Sequence, residues 1–377
     1  MNRSEIISFL NVFRLSFIEN VFERYFNMGK MLPEKFTKQI KTFSVVCLML
    51  ALATGNATAT KNLLSKPDLL TSENTQKKTI RIGLLIPDED RLAAKHGAQL
   101  AIQKANKNGG FTGIPYELIV KPTSGPWGTS SKKSVSLVFD DEVMVIMGSL
   151  SSRDAHLAEQ VAAKTKLVYL SSRATDMSLS NAYVPWYFRV VPNDKQQAAA
   201  LIEEIFFNKK LKKVALIGTD QSDSELAVRA FIEEAKIKGA EQPTQFKIST
   251  SKKKSFKIPP DFNIKNFEAI VLIGSENFAS VIIPFIKRNH AGVPLFATLS
   301  VTDNQKANNT NWKLLENITL VASDFWFTKK GMTFQEEFQE EFGYKPGPAA
   351  AYAFDGMNVI IEAVKMAEPT LTDVIDD

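Results

Sequence analysis

The sequence predicts an α/β protein whose parallel sheets are shared between two similar lobes. Three observations predict it. From Thr79 onward, apolar runs of strand length alternate with amphipathic helical stretches, a pattern that builds parallel sheets with helices on both faces. At least eight such strand runs fall into two series, split near Pro192-Asn193-Asp194, which suits two sheets better than one. The 377 residues, 44% hydrophobic and 23% charged, have ordinary globular composition and sufficient length for two medium domains.

Each element follows from local chemistry. Ile80 to Ile86 is apolar except for Arg81 near its start and has the character of a buried strand, closed by Pro87-Asp88. Ala93, Ala94, Gly97, Ala98, Leu100, Ala101 and Ala105 then recur at helical spacing and give an inward face of small residues. Asn108-Gly109-Gly110 stops that helix, because glycine accepts the left-handed conformation of a helix C-terminus. Tyr116 to Lys121 reads as a strand, 130–138 as a helix, and Val143 to Gly148 as the next strand. Ser151 to Lys164 is helical, and the strands Leu167 to Leu170 and Tyr187 to Val191 follow. Beyond the split the same alternation resumes. A helix is expected over 194–208, a strand over Val214 to Gly218, and a helix over Ser224 to Lys238. Ala269 to Ile273, Phe278 to Asn289 and Pro294 to Thr298 continue it as strand, helix and strand.

The first 59 residues read as an address. Lys35, Lys38 and Lys41 precede the apolar run Phe43 to Thr54, and Ala57-Thr58-Ala59 follows. That is the order of a secretory signal peptide, and the run is too short to span a bilayer about 30 Å thick. The phenylalanine-rich stretch ahead of Met28 and Met31 exceeds a normal n-region, so translation is expected to begin at one of these methionines. N-terminal sequencing of the precursor checks this. Residues 60–78 are polar and form a linker. Cys47 is the only cysteine, which excludes an intrachain disulfide and a cysteine metal cluster. The net charge of +5 is spread among acids, and no basic stripe suited to nucleic acid exists.

In open parallel sheets, ligands bind beyond the carboxyl ends of the strands. Two loops stand there. Gly148-Ser149-Leu150-Ser151-Ser152 follows one strand and opens a helix, and Ser171-Ser172-Arg173-Ala174-Thr175 follows the next. Two readings fit them. They are helix caps, a role serine and threonine favour, or they are a cradle for a carboxylate, built from hydroxyls and free helix N–H groups. Arg173 is likewise a surface residue pairing with Asp176, or a cleft residue suited to an acidic group on a ligand. Catalytic motifs are missing: there is no Gly-x-Ser-x-Gly elbow, no His-x-x-x-His pair and no phosphate loop. The three histidines, His96, His156 and His290, fall on predicted helices. No enzyme, cofactor or metal is expected.

The motifs, in order, are IRIGLLIP, GAQLAIQKANKNGGFTGIPYEL, VMVIMGSLSSRDA, YLSSRAT, YFRVVPND, KKVALIGTD and AAAYAFDGMNVIIEAV. Together they resemble the type I periplasmic binding proteins, in their leucine/isoleucine/valine-binding branch, over about residues 79–367. The resemblance implies two Rossmann-like lobes with parallel sheets, joined by hinge strands and closing on a ligand. Lobe one would hold 79–191 plus 327–367, lobe two 192–326, and 368–377 would be a tail. Members of that family run some tens of residues further than this chain does.

The resemblance also implies a function: capture of a small polar ligand, amino acid-like or a carboxylate, in the periplasm for an inner-membrane ABC permease. The alternative is a periplasmic sensor or envelope interaction module with the same fold. In the amino-acid binders a serine and a threonine of lobe one meet the ligand carboxylate. Ser152 and Thr175 stand at those positions, with Ser151 adjoining and Arg173 replacing a small residue. Lobe two lacks the family's aromatic and acidic ammonium contacts near Ser275 and Ser300, and Ser275 itself is a candidate ligand contact there. Asp220, Asp223, Glu276 or Asp303 would supply the counter-charge instead.

Overall fold

The computed structural model describes residues 79–249, 256, 258, 262–290, 292–302 and 312–367. The expected signal peptide, linker and tail, and Asp303, lie outside these residues.

The first half of the described chain alternates strictly. It runs β1 (Ile80–Ile86), α1 (Ala93–Lys107), β2 (Tyr116–Pro122), α2 (Thr129–Phe139), β3 (Val145–Gly148), α3 (Ser152–Thr165), β4 (Val168–Ser171), the short α4 (Ser178–Asn181) and β5 (Tyr187–Arg189). Its five strands pair in the order β2-β1-β3-β4-β5, and every pairing is parallel. The second half has α5 (Asp194–Ile202), β6 (Val214–Thr219), α6 (Ser222–Ile237), β7 (Thr244–Ile248), β8 (Ala269–Leu272), α7 (Glu276–Asn289), β9 (Leu295–Ala297) and β10 (Ile318–Leu320). These strands pair as β7-β6-β8-β9-β10, again all parallel. The two sheets therefore share one topology, with β6 in the place of β1. Two helices, α8 (Lys329–Phe342) and α9 (Pro348–Met366), complete the described chain.

The central strands are predominantly apolar because both faces are covered. In lobe one, Ile82 and Leu84 pack with α1, α8 and α9 through Ala98, Phe338 and Met357. Leu85, Ile146 and Tyr169 pack on the other face with Leu137, Ala155 and Ala158 of α2 and α3. In lobe two, Ile217 and Leu272 face Ile282 and Ile286 of α7, while Leu216 and Val271 face Phe231 and Leu201. Helices α8 and α9 thus return to the first sheet after the second is complete. A small cluster of Val191, Leu299 and Tyr352, with Val190 and Val321 against it, packs where the chain passes between the lobes.

Three features differ from the sequence reading. Strands β7 and β10 were not anticipated. TQFKI carries too little apolar pattern, and ITL is only three residues, yet both are edge strands that need only one paired side. The helix expected over 194–208 keeps α geometry only to Ile202 and continues over Glu203–Asn208 as a π-helical turn. Among the described residues no helix is long and apolar enough to cross a membrane.

Candidate ligand-binding site

The site is set by the carboxyl ends of β3, β4 and β6, next to the point in each sheet where the strand order reverses. Gly148 ends β3 without a side chain, and a Cβ there would stand 2.2 Å from the Tyr169 hydroxyl. The backbone can therefore lie against β4 as the next two loops form.

Ser151 caps α3. Its hydroxyl accepts from the Asp154 N–H at 3.3 Å and donates to the Asp154 carboxylate at 2.9 Å. Ser152, the first residue of α3, is 1% exposed. Its hydroxyl accepts the Asp176 N–H at 3.3 Å, tying the two hydroxyl-rich loops together. Its own N–H donates at 3.2 Å to the Asp223 carboxylate of lobe two, which also takes a hydrogen bond from the Ser152 side chain. Ser171 and Ser172 shape the second loop: the first accepts the Ala174 N–H at 3.1 Å, and the second donates to the Gly148 carbonyl at 3.3 Å.

Thr175 stands beside Asp194. The Thr175 carbonyl accepts the Asp194 N–H at 2.9 Å, and its side chain hydrogen-bonds to the Asp194 carboxyl. Burial pushes that carboxyl up to about 6, against the lowering effect of Thr175, and the negative charges of Asp223 and Asp176 push it the same way. Asp223 is also raised by burial, while the charge of Arg173 and the hydrogen bonds of Ser152 hold it down.

One arginine fixes the second loop. Arg189, the last residue of β5, donates to the carbonyls of Ala174 at 3.1 Å and Asp176 at 2.6 Å, and to the Ser180 hydroxyl at 3.0 Å. Its guanidinium lies 5.5 Å from the centre of the Tyr187 ring. Beside it, His156 of α3 meets Asp176 at 2.9 Å, Glu159 at 3.4 Å and the Ser178 hydroxyl at 3.0 Å. The hydrogen bonds to Asp176 and Glu159 raise His156 to about 9 despite its partial burial. Burial would raise Asp176, but His156 and Ser178 outweigh it and hold the carboxyl at about 2. An imidazole held protonated cannot take a proton from Ser178, whose hydroxyl already donates to Asp176 at 2.5 Å. The trio therefore pins α3 to the second loop.

This pin has a pH window. His156 is raised from 6.5 to about 9, so its stabilisation is complete below pH 6.5 and lost as pH rises through 9. Asp176 is lowered from 3.8 to about 2, so its share is present above pH 3.8 and lost as pH falls through 2. We expect His156→Gln to lower the unfolding temperature most between pH 4 and 6.5. The gap from wild type should close by about pH 9.5. A gap that stays constant with pH would reject the ion-pair account.

The structure thus brings together Ser152, Arg173, Thr175 and Asp223. Ser151 and Ser275 serve as helix caps, Ser275 accepting the Phe278 N–H at 3.4 Å. Asp220 is exposed, and its charge acts on Lys247 of β7. Sequence reasoning missed Asp194 and Arg189 as parts of this site. Both lie in the motif YFRVVPND, but a sheet pairing is needed to bring that motif alongside Thr175. Among the described residues no group of three histidines, cysteines or acids could hold a metal ion.

Two lobes of identical topology, with strand-end loops of one meeting a helix of the other, define a periplasmic-binding-protein type I clamp. The model of the periplasmic binding protein family matches residues 79–376, and the chain belongs to that family. A Leu/Ile/Val-binding protein, BraC3, from Rhizobium johnstonii is 29% identical over 146 residues, which are 37% of this chain and 39% of that relative. Glutamate receptor 3.7 of Arabidopsis thaliana is 30% identical over 84 residues, 22% of this chain and 9% of the receptor. This chain therefore matches well under two thirds of either relative. Among solved structures, the branched-chain amino acid transporter substrate-binding protein LivJ of Streptococcus pneumoniae, in complex with isoleucine, superposes with a TM-score of 0.63 at 20% identity. That match covers 77% of this chain and 85% of LivJ. An ABC transporter solute-binding protein of Rhodopseudomonas palustris BisB5, in complex with 3,4-dihydroxybenzoic acid, gives 0.63 at 20% identity, covering 77% and 81%.

Proposed function

We propose that the protein captures a small polar solute between its lobes, outside the cytoplasmic membrane, and hands it to an ABC importer without chemically altering it. The solute is amino acid-like or another small carboxylate. The observation that carries this reading is the pair Ser152 and Thr175. Two hydroxyls on successive strand-end loops stand beside a helix N-terminus and face lobe two, an arrangement suited to an acceptor-rich group. The family relationship supports it, as do structural neighbours whose ligands are isoleucine and 3,4-dihydroxybenzoic acid, both carboxylates.

The test is a thermal-shift screen of the protein against amino acids, aromatic acids, dicarboxylates, amides and sugars, since a solute binding only the folded clamp raises its melting temperature. At least one carboxylate should give a clear shift. Replacing Ser152 and Thr175 together by alanine should weaken that solute about tenfold or more, as loss of two hydrogen bonds to a charged group predicts. Unchanged affinity in the folded double variant rejects the assignment. A sensing role with the same clamp is the second reading, favoured by the local similarity to a plant glutamate receptor. Co-purification with a receptor or kinase in place of a permease would establish it.

A further inference from the structure

The acceptor position of lobe one has an acceptor within this chain. Asp223 lies in the first turn of α6, and its Oδ1 takes the Ser152 N–H at 3.2 Å from the first turn of α3. The carboxylate therefore sits between two helix N-termini, its own and that of the opposite lobe, where two partial positive charges favour an anion. The Ser152 side chain bonds to it, and the charge of Arg173 acts on it. Thr175, the second hydroxyl of the pair, is engaged in the same way by the Asp194 carboxyl. Each hydroxyl proposed to meet a solute carboxylate thus has a carboxyl of this chain as its partner.

We propose that Asp223 is a tethered stand-in for the solute carboxylate: it latches lobe two onto lobe one through Ser152, and a solute carboxylate must displace it to bind. Asp223 then sets selectivity. A carboxylate entering beside Asp194 and Asp223 meets like charge, and its affinity is reduced by the cost of breaking the internal contact. The selectivity half of this inference rests on the carboxylate reading above, whereas the latch does not. The competing assignment, Asp223 as the counter-charge for a solute ammonium, predicts the opposite sign.

The experiment compares the full chain with its Asp223→Asn and Asp223→Ala variants. Asparagine keeps the shape and removes the charge, and alanine empties the position. Titration calorimetry uses leucine, glutamate, benzoate and leucinamide, the last carrying an ammonium and no carboxylate. Small-angle scattering of the solute-free proteins reads lobe separation. We expect both variants to bind at least one carboxylate ten times more tightly or better, with leucinamide not improved. We also expect a larger radius of gyration without solute. If wild type binds the carboxylates as tightly as the variants or more so, selectivity by Asp223 is overturned and carboxylate capture stands. If none of the three proteins binds any carboxylate, the carboxylate reading fails with the selectivity claim, and scattering alone decides the latch. An unchanged radius of gyration in both variants overturns the latch whatever the affinities.

Discussion

Replacing Arg189 with methionine should lower stability by about 3 kcal/mol and free the loop that carries Thr175. Methionine keeps most of the side chain's length and apolar contact but cannot donate. Three hydrogen bonds disappear, to the carbonyls of Ala174 and Asp176 and to the Ser180 hydroxyl. A hydrogen bond involving a charged group contributes about 1.5–3 kcal/mol, and a carbonyl left unpaired in a buried loop adds its desolvation cost. The Ser180 contact counts for little because that side chain is exposed. The two carbonyls bracket Thr175, so their release should reach the site as well as the fold. Thermal unfolding should fall by roughly 6 °C or more. Hydrogen exchange should accelerate at the amides of 173–178 and stay unchanged in β6 and β8. Exchange that rises equally in both lobes would show that Arg189 serves global stability and does not position the loop.

The second large effect is expected at Gly97, on the inward face of α1. A Cβ added there would stand 2.1 Å from the Ala350 carbonyl oxygen of α9, a backbone atom that cannot rotate away. The two helices cross closely because Ala93, Ala94, Ala98 and Ala101 meet Ala349, Ala350 and Ala353, all buried. At an exposed helical site, Gly→Ala gains about 1 kcal/mol. Here the sign should reverse, since overpacking costs about 1–3 kcal/mol and separating the helices strips contact from the whole small-residue face. Gly97→Val, bulkier and with a smaller propensity gain than alanine, should cost about 3 kcal/mol or more. Denaturant unfolding followed separately in each lobe should show lobe one losing stability first. A stabilising Gly97→Ala would mean that α9 can move outward freely.

The central strands β1, β3, β6 and β8 were legible because burial on both faces makes them nearly continuous apolar runs, Arg81 at the start of β1 being the charged exception. The small-residue face of α1 was legible too, since alanine and glycine at helical spacing announce close packing. Strands β7 and β10 were not, because an edge strand can be short or polar and owes its conformation to its neighbour. The loops of Ser152 and Thr175 could be located by chain order alone, as both follow strands of a parallel sheet. Their hydrogen-bond partners could not.

By itself, then, the sequence determined the alternating α/β architecture and the two hydroxyl-rich loops at strand ends. Those properties follow from local periodicity and composition. Only the tertiary structure decided that His156 is pinned between Asp176 and Glu159, that Arg189 holds the second loop, and that Asp223 reaches across to Ser152. Asp223 and Ser152 are 71 residues apart in the chain. Whether a carboxylate meets solvent, a solute or a helix N-terminus depends on which surfaces the fold brings together, and no local pattern encodes that distance.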